Sequence, residues 1–279
     1  PPFGHSGERA ISSYFSEGNG QKLEEAVRRE GGRWEDFVHF EGNANAMRLL
    51  SHQFVGRRAG GFALTYSTLA SIVKYPYASI YTGPKGKFGF FQSEEEGYMR
   101  IVQELGIERQ PDAPTRFLRY PLVYLVEAAD DICYQVMDIE DAYKLHILTK
   151  DEAIGLLLGF FEGEKLEHIE RTMTIVDDIN ERIAYLRSCI IGLLVEECSR
   201  VFLENEEGIL GGSFHEPLIE CIQPHAKAAY QACSATAYKK IYRAKEVLDV
   251  ELSGYRIFSH LIDVLTEAVM NPRHAYSKL

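Results

Sequence analysis

Several hallmarks of membrane and secreted proteins are missing from this chain. No stretch approaches the roughly eighteen uncharged apolar residues of a membrane-spanning helix, and the start shows no signal-peptide pattern. The five cysteines are widely spaced without a CxxC pair, which is typical of reduced core residues. A Gly-x4-Gly-Lys-Ser/Thr phosphate loop is also absent. These absences predict a cytoplasmic protein without a membrane partner.

Positive charge is scarce as well. The chain has 30 Lys and Arg residues against 41 Asp and Glu residues, so its formal net charge is −11 and its isoelectric point is near 5.4. Because neutralising nucleic-acid phosphates needs an excess of Lys and Arg, this balance does not support nucleic-acid binding, single strands included. Any site for a phosphate group must therefore be local.

The residues that are present fit a folded helical protein. Hydrophobic residues make up 46% of the 279 residues and charged residues 25%, which is ordinary for a globular chain of one large domain or two small ones. Apolar positions recur at spacings of three and four, so the pattern predicts an all-α fold. The predicted helices cover residues 6–15, 43–57, 65–73, 93–105, 115–137, 139–148, 150–161, 165–202, 214–221 and 226–266.

The segment 121–137 carries the most informative polar residues. Its other positions are apolar nearly all round, so we predict that this helix is buried. Asp130, Tyr134 and Asp138 follow one another at four-residue spacing and project from one face. A buried carboxylate is costly unless a cation or hydrogen-bond donors compensate its charge. Both carboxylates therefore need partners.

Two interpretations account for these carboxylates. In the first, Asp130 binds a metal ion, while Tyr134 and Asp138 line the adjoining pocket. In the second, Asp130 and its neighbour pair with arginines such as Arg116 or Arg119. The spacing by itself favours neither.

Near the amino end, His5 and Glu8 lie one turn apart at the start of a predicted helix. The imidazole can serve as a general acid, and the carboxylate can fix its tautomer or hold its proton. The alternative is that both are solvated residues of a surface helix. This pair alone does not distinguish the two interpretations.

The segment 40–48 predicts a capped helix. Glu41 and Asn43 can cap its amino end, and Arg48 falls on the helix after them. A capped helix explains every feature of the segment except the presence of Arg48.

Two lysines lie on loops shaped by glycine and proline. Lys74 precedes Tyr75 and a proline, and Lys87 follows a Gly-rich turn. Mobile positive charges of this kind suit a triphosphate. The alternative is that both are ordinary solvent-exposed lysines.

Five motifs occur in the order expected of one family. They are PPFGHSGE, FEGNA followed by Arg48, LTYSTLA followed by KYP, KFGFF, and EAADDICYQVMDIEDA. With these motifs the chain closely resembles the dGTP triphosphohydrolases, the deoxynucleoside triphosphate triphosphohydrolases of the HD-domain superfamily. The resemblance spans residues 1–142 and becomes diffuse beyond Lys150, where it rests on helical character and the stretch 241–265.

The resemblance implies an activity and a fold. The activity is metal-dependent hydrolysis of dGTP or other dNTPs to deoxynucleoside and inorganic triphosphate, with Mg, Mn or a similar divalent metal as cofactor. The fold is an HD-domain-like helical bundle lacking its N-terminal portion, with an additional C-terminal helical region. Residues 1–150 then form the C-terminal part of the catalytic core, and residues 151–279 pack on it. A homo-oligomer and a dNTP activator are further expectations.

The resemblance also assigns roles to individual residues. Asp130 matches the last metal ligand, and His5 and Glu8 match the catalytic pair. Tyr134 and Asp138 match positions that contact the deoxyribose. The residues predicted to bind substrate are Asn43, Arg48, Lys74, Tyr75, Lys87, Tyr134 and Asp138.

The chain departs from the family pattern in three ways. Gly42 stands where some relatives, reading FEHN, place a histidine that assists catalysis, and Asn45 replaces the usual Gln of FEGNAQ. The first ligand His and the HD pair are expected before Pro1, since the chain starts without an initiator Met and resembles the middle of a longer protein.

Two other functions remain open at this point. One is an HD-superfamily phosphohydrolase that acts on a cyclic dinucleotide or a nucleoside monophosphate. The other is a non-catalytic helical module that binds dNTPs and regulates a partner. Product analysis separates the enzymes, because only the favoured activity yields inorganic triphosphate.

Overall fold

The computed structural model describes residues 4–56, 59–274 and 277 of the chain. Within these residues every regular element is helical, and β-structure is limited to isolated bridges. The α-helices are α1 Gly4–Ser16, α2 Glu24–Arg29, α3 Glu35–Val38, α4 Gly42–Ser51, α5 Tyr66–Ile72, α6 Glu95–Leu105, α7 Val123–Lys144, α8 Lys150–Leu158, α9 Gly163–Ile175, α10 Ile179–Glu204, α11 Glu206–Leu210, α12 Pro224–Thr236 and α13 Lys245–Met270. The predicted all-α class is confirmed.

Shorter helical turns join some of these helices. Four of the described turns are 3₁₀-helices, at Asn19–Leu23, Ser79–Tyr81, Gln92–Glu94 and Leu218–Cys221, and a π-helix covers Ala237–Ile241. None of the described helices is long and apolar enough to cross a membrane.

The chain divides into two compact units. The first comprises residues 1–123 and 249–279, and the second comprises residues 124–248. The predicted boundary near residue 150 falls inside the second unit, at the start of α8.

An aromatic core holds the first unit together. Phe90 stacks on Tyr98 at 4.6 Å between ring centroids, and Tyr98 meets Phe117 edge-on at 5.8 Å. The helix α6 supplies Tyr98, Ile101 and Val102 from one face, as its three- and four-residue spacing requires. It ends at Gly106, whose φ of +64° is the left-handed conformation of a helix C-cap.

The second unit is built around α10. One stripe of this helix is buried along its whole length, at Ile183, Leu186, Ile190, Leu194, Cys198 and Val201. This stripe belongs to the same core cluster as buried residues of α7, α8 and α12. A capping box between Thr149 and Glu152 starts α8.

The prediction that segment 121–137 is buried all round is wrong. Tyr124, Ala128 and Ile132 on one face of α7 are buried, whereas the opposite face is exposed. The exposed large apolar side chains are Leu122, Leu125, Val126, Tyr134 and Met137. Apolar content shows that a helix can be buried, but it does not fix how many of its faces are covered.

Three predicted helix boundaries also differ. Segments 115–137 and 139–148 were predicted as separate helices, but α7 runs unbroken from Val123 to Lys144. The predicted helix 165–202 divides into α9 and α10, because the Asp178 side chain accepts from the N–H groups of Asn180 and Glu181 and starts a new helix. The predicted helix 226–266 divides at the π-helix.

The cysteines are all free thiols, as predicted. Cys198 and Cys233 are buried, and burial raises the pKa of both thiols. Cys133 is exposed on α7, so its predicted core position is wrong. Its side chain lies on the exposed part of α7, although the apolar composition of the segment predicts burial.

Candidate active site

The first unit has a cavity at the start of α1. Its volume is about 570 Å³, and His5 and Glu8 both line it from the first two turns of the helix. The other basic side chains and histidines on its wall are Arg9, His39, Lys85 and Lys87. In a chain of net charge −11, this wall carries more cationic than anionic groups. It is therefore a local site suited to an anionic ligand.

Lys87, on the wall of this cavity, connects two carboxylates. Its ammonium group lies 2.7 Å from Glu41 Oε1 and 3.1 Å from Glu8 Oε1. Burial opposes the charge of Lys87, but the hydrogen bonds to Glu41 and Glu8 outweigh this effect and raise its pKa. Lys87, predicted as a phosphate contact, thus has two anionic partners in the structure.

Glu41 anchors this network in the fold. Its side chain is the N-cap of α4 and accepts from the N–H groups of Asn43 at 2.6 Å and Ala44 at 3.3 Å. The predicted cap is thereby confirmed, and Glu41 is only 1% exposed. The side-chain amide of Asn43 also donates to Glu41 Oε1 at 2.9 Å. Asn43, predicted to bind substrate, thus belongs to this network.

Glu8 is held at both oxygens. Lys87 donates to Oε1, and the backbone N–H of Gly42 donates to Oε2 at 3.2 Å. Gly42 is the position where some relatives place a histidine, and in this chain it supplies a backbone donor. The carboxylate of Glu8 is therefore oriented before any ligand enters, with His5 one turn away on the same helix.

Gly89 brings two predicted phosphate-binding segments together. Its N–H donates to Tyr77 O at 3.0 Å, and a Cβ at this position would lie 2.2 Å from Tyr75 O. Only glycine permits this approach between segments 74–77 and 87–91. Lys74 and Tyr75 lie on the first segment, with the Lys74 ammonium 5.9 Å from the Tyr75 ring centroid. Among the described residues, neither lines the cavity of His5.

Arg48 lies away from the cavity that His5 lines. Its guanidinium donates to the buried carboxylate of Glu94 at 2.7 Å and to the hydroxyl of Ser93 at 3.2 Å. It also lines a second cavity of about 480 Å³, together with Asn45. These contacts make Arg48 a link between α4 and the 3₁₀-helix Gln92–Glu94.

The residues predicted on α7 belong to the second unit. Asp130 is exposed, and Tyr134 is 52% exposed. Asp138 is half-buried and accepts a hydrogen bond of 2.6 Å from the hydroxyl of Tyr242. The ring of Tyr242 lies 6.5 Å from that of Tyr134. The shared face predicted from their spacing thus holds for Tyr134 and Asp138, which both face Tyr242.

Tyr242 was not predicted as a site residue. It lies 104 positions from Asp138, and the only signal was its place in the stretch 241–265, where the family resemblance is diffuse. Arg116, named as an alternative partner of Asp130, lies over the ring of Tyr77 at 5.1 Å.

The described residues do not complete a metal centre. In that part of the chain no group of three or more His, Cys, Asp or Glu side chains is placed to hold a metal ion. Asp130 offers one exposed carboxylate, and a single carboxylate does not supply the several ligands that a protein-bound divalent metal needs.

Comparison with known proteins gives a consistent set of relatives. A deoxyguanosinetriphosphate triphosphohydrolase-like protein of Pseudomonas aeruginosa is 36% identical over 275 residues, which cover 97% of this chain and 61% of that protein. A protein of the same name from Synechocystis is 30% identical over 298 residues, covering all of this chain and 64% of that protein. A deoxyguanosinetriphosphate triphosphohydrolase of Yersinia enterocolitica is 29% identical over 321 residues, covering all of this chain and 61% of that protein. No protein-family model matches.

These relatives are all named for one class of hydrolase, and their matches run along nearly the whole chain. The chain belongs to the deoxyguanosinetriphosphate triphosphohydrolase family. It spans about three fifths of the length of the curated relatives that it matches.

Proposed function

We propose that the protein to which this chain belongs hydrolyses deoxynucleoside triphosphates, dGTP among them, to deoxynucleoside and inorganic triphosphate. The observation that carries the proposal is the cavity in which His5 and an oriented Glu8 meet a locally cationic wall. The names of the relatives support the substrate class. A dNTP as activator and a homo-oligomer are parts of the same proposal.

The residues of the first unit account for the acid chemistry. Hydrolysis adds water to the α-phosphorus and breaks its bond to the 5′-oxygen of the deoxynucleoside. His5 donates a proton to that leaving oxygen, and the Glu8 carboxylate one turn away orients the imidazole. Lys87 and the Gly42 N–H keep Glu8 oriented for this task. Arg9 and Lys85 offset the charge of the triphosphate at the cavity wall.

The remaining roles follow the family pattern. Lys74 and Tyr75 contact the phosphates, and Tyr134 and Asp138 bind the deoxyribose. Asp130 contributes one ligand to a divalent metal, which lowers the energy of the phosphoryl transition state when it is bound. Among the described residues, Asp130 is the one side chain to which this proposal gives that role.

The direct test is product analysis with the full-length protein. We expect inorganic triphosphate and deoxynucleoside from at least one of the four dNTPs, assayed singly and in mixtures. His5→Ala should lower turnover by about 100-fold or more, in the range typical of a lost general acid. The exposed His215, in the second unit, supplies the control variant His215→Ala, which should keep full activity.

Two outcomes overturn the proposed activity, and a third overturns the role of His5. Release of orthophosphate or pyrophosphate indicates another HD-superfamily phosphohydrolase, and tight dNTP binding without turnover indicates a regulatory module. An unchanged rate in His5→Ala removes that residue from the mechanism.

The metal assignment has its own test. In Asp130→Ala we expect both metal content and triphosphate release to fall, whereas Asp141→Ala, at another exposed carboxylate of α7, should preserve both. Asp130 is not a ligand if its alanine variant keeps wild-type metal content and activity.

A further inference from the structure

The proposed hydrolysis makes no use of the second cavity of the first unit, which Arg48 lines. This cavity of about 480 Å³ lies between α3, α4 and the 3₁₀-helix Gln92–Glu94, and its volume is within the usual range of small-molecule sites. Part of its wall is aromatic, with Phe40 stacked on Phe91 at 5.7 Å between ring centroids. Phe37 and Phe40 are only half-buried, so the cavity offers ring surface on which a flat ligand can stack.

Two side chains of α4 present polar groups to this cavity. Asn45 and Arg48 are three residues apart, so they lie on the same face of the helix. Arg48 uses Nη1 for its bonds to Ser93 and Glu94, which leaves Nη2 without a partner among the described residues. The side-chain amide of Asn45 makes no hydrogen bond in the described part of the chain. Donors and an acceptor on α4 are therefore available to a ligand.

The charges around the second cavity do not favour a phosphate group. Arg48 is paired with Glu94 at 2.7 Å, and a second arginine on the wall, Arg33, is paired with Glu95 at 2.7 Å. The wall also carries the buried carboxyl group of Asp36. Each of these cations thus has its own anion, and no excess of positive charge is left to neutralise a triphosphate. These contacts predict an uncharged ligand.

A 6-oxopurine such as guanine has the polar pattern that these groups require. Its N7 and O6 are both acceptors on one edge, whereas adenine has an amino donor beside its N7 acceptor. A guanidinium group only donates, so Arg48 matches the guanine edge and opposes the amino group of adenine. The amide of Asn45 has both a donor and an acceptor, which match O6 and the adjacent N1–H of guanine.

We propose that the second cavity is a binding site for a 6-oxopurine ring, with Arg48 and Asn45 at its polar edge and Phe40 against its face. The inference goes beyond the proposed function and does not depend on it, because it concerns binding and not hydrolysis. The ligand is a free base or the base of an uncharged nucleoside. Phe40 also lines the cavity of His5, so the two sites share one side chain.

The test is calorimetric titration of the full-length protein with 9-methylguanine, a base that carries neither sugar nor phosphate. We expect a Kd between about 10 μM and 1 mM, the range for a ligand of about twelve heavy atoms. The comparison ligand is 9-methyladenine. It should bind about 10-fold more weakly or worse, because its amino group faces the donors of Arg48.

Two variants and one control assign the binding to this cavity. Asn45→Leu keeps the side-chain size but removes the amide, and it should weaken 9-methylguanine binding about 10-fold. Arg48→Lys keeps a cation opposite Glu94 but loses Nη2, so the preference over 9-methyladenine should fall to less than about twofold. Gln103→Met is the matched control. This exposed amide lines a different cavity of the first unit, so its removal should leave both affinities unchanged.

Deoxyguanosine distinguishes the two sources of the ring. Its binding is compared between wild type and Asn45→Leu, so that binding in the cavity of His5, which both proteins share, is subtracted. The ligand is a nucleoside if the affinity that depends on Asn45 equals or exceeds the affinity for 9-methylguanine. It is a free base if the sugar lowers that affinity.

Three results overturn the inference. They are no binding of 9-methylguanine to the wild-type protein at about 1 mM, equal affinity of that protein for the two purines, and wild-type affinity and preference in the folded variants. Circular dichroism establishes which variants fold, and either Asn45→Leu or Arg48→Lys suffices. A protein that releases triphosphate but fails this test keeps the proposed function. One that releases none but binds 9-methylguanine with the expected preference keeps this inference.

Discussion

Lys87→Met should destabilise the first unit by about 2 kcal/mol. Methionine keeps most of the side-chain length but removes the cation between Glu41 and Glu8. Removing one partner of a fully buried ion pair costs about 3–5 kcal/mol, because the other charge is left uncompensated. Lys87 is 28% exposed, and Glu41 keeps the N–H donors of Asn43 and Ala44, so the cost lies below that range.

Urea unfolding at neutral pH measures this cost. A double-mutant cycle with Glu41 shows how much of it comes from the interaction between Lys87 and Glu41. Glu41→Gln keeps an oxygen that can cap α4 but removes the charge, so Lys87→Met in that background should cost only about 1 kcal/mol. Lys85→Met is the matched control, because Lys85 is exposed on the wall of the same cavity. It should change stability by less than about 0.5 kcal/mol. A loss in Lys87→Met no larger than in this control would refute the ion-pair network.

The stability difference between wild type and Lys87→Met should also depend on pH, in a direction that the pKa shift of Lys87 fixes. Hydrogen bonds to Glu41 and Glu8 raise the pKa of Lys87 in the folded protein, despite the opposing effect of burial. A raised pKa stabilises the fold fully below the unfolded value of about 10.4, and this contribution is lost as the pH rises through the folded value. The difference between wild type and Lys87→Met should therefore be constant from about pH 6 to 9 and shrink above about pH 10.5.

Further predictions concern buried hydroxyls and a glycine. Tyr98 is 0% exposed, and its hydroxyl has no hydrogen-bond partner among the described residues, so Tyr98→Phe should raise the free energy of unfolding by about 1 kcal/mol in urea titrations. Tyr124→Phe should lower the free energy of unfolding by about 1 kcal/mol, because the hydroxyl of Tyr124 donates to Phe214 O. Gly89→Ala should lower the thermal midpoint by several degrees, because its Cβ would overlap Tyr75 O. An unchanged midpoint in Gly89→Ala would show that the two segments separate without cost.

Local signals predicted much of the helical framework. Thr65, Glu41 and Thr149 are side-chain caps, and the helices after them begin within one residue of their predicted starts. A capping residue and the first turn of its helix are neighbours in the chain, so the local sequence is enough to predict where the helix starts. The burial of α7 was not predictable in this way, because which face of a helix is covered depends on residues far away in the sequence.

The candidate site shows the same division. The one-turn spacing of His5 and Glu8 could be predicted from the sequence, because helix geometry fixes the relation between residues three positions apart. The partners of Lys87 could not be predicted from the sequence, because Glu41 lies 46 positions away and the contact depends on tertiary packing. Tyr242 was missed for a further reason. The π-helix before it shifts the register, so a count at ordinary helical spacing assigns it the wrong direction.

The charge balance of the cavity changes which side chains are expected to bind the phosphates of a triphosphate. Lys87 is one cation between two carboxylates, so together with Glu8 and Glu41 it contributes net negative charge. The positive potential at the wall must therefore come from Arg9 and Lys85. Lys87, predicted as a phosphate contact, also orients the carboxylate of Glu8, and phosphate binding at this wall should depend in addition on Arg9 and Lys85.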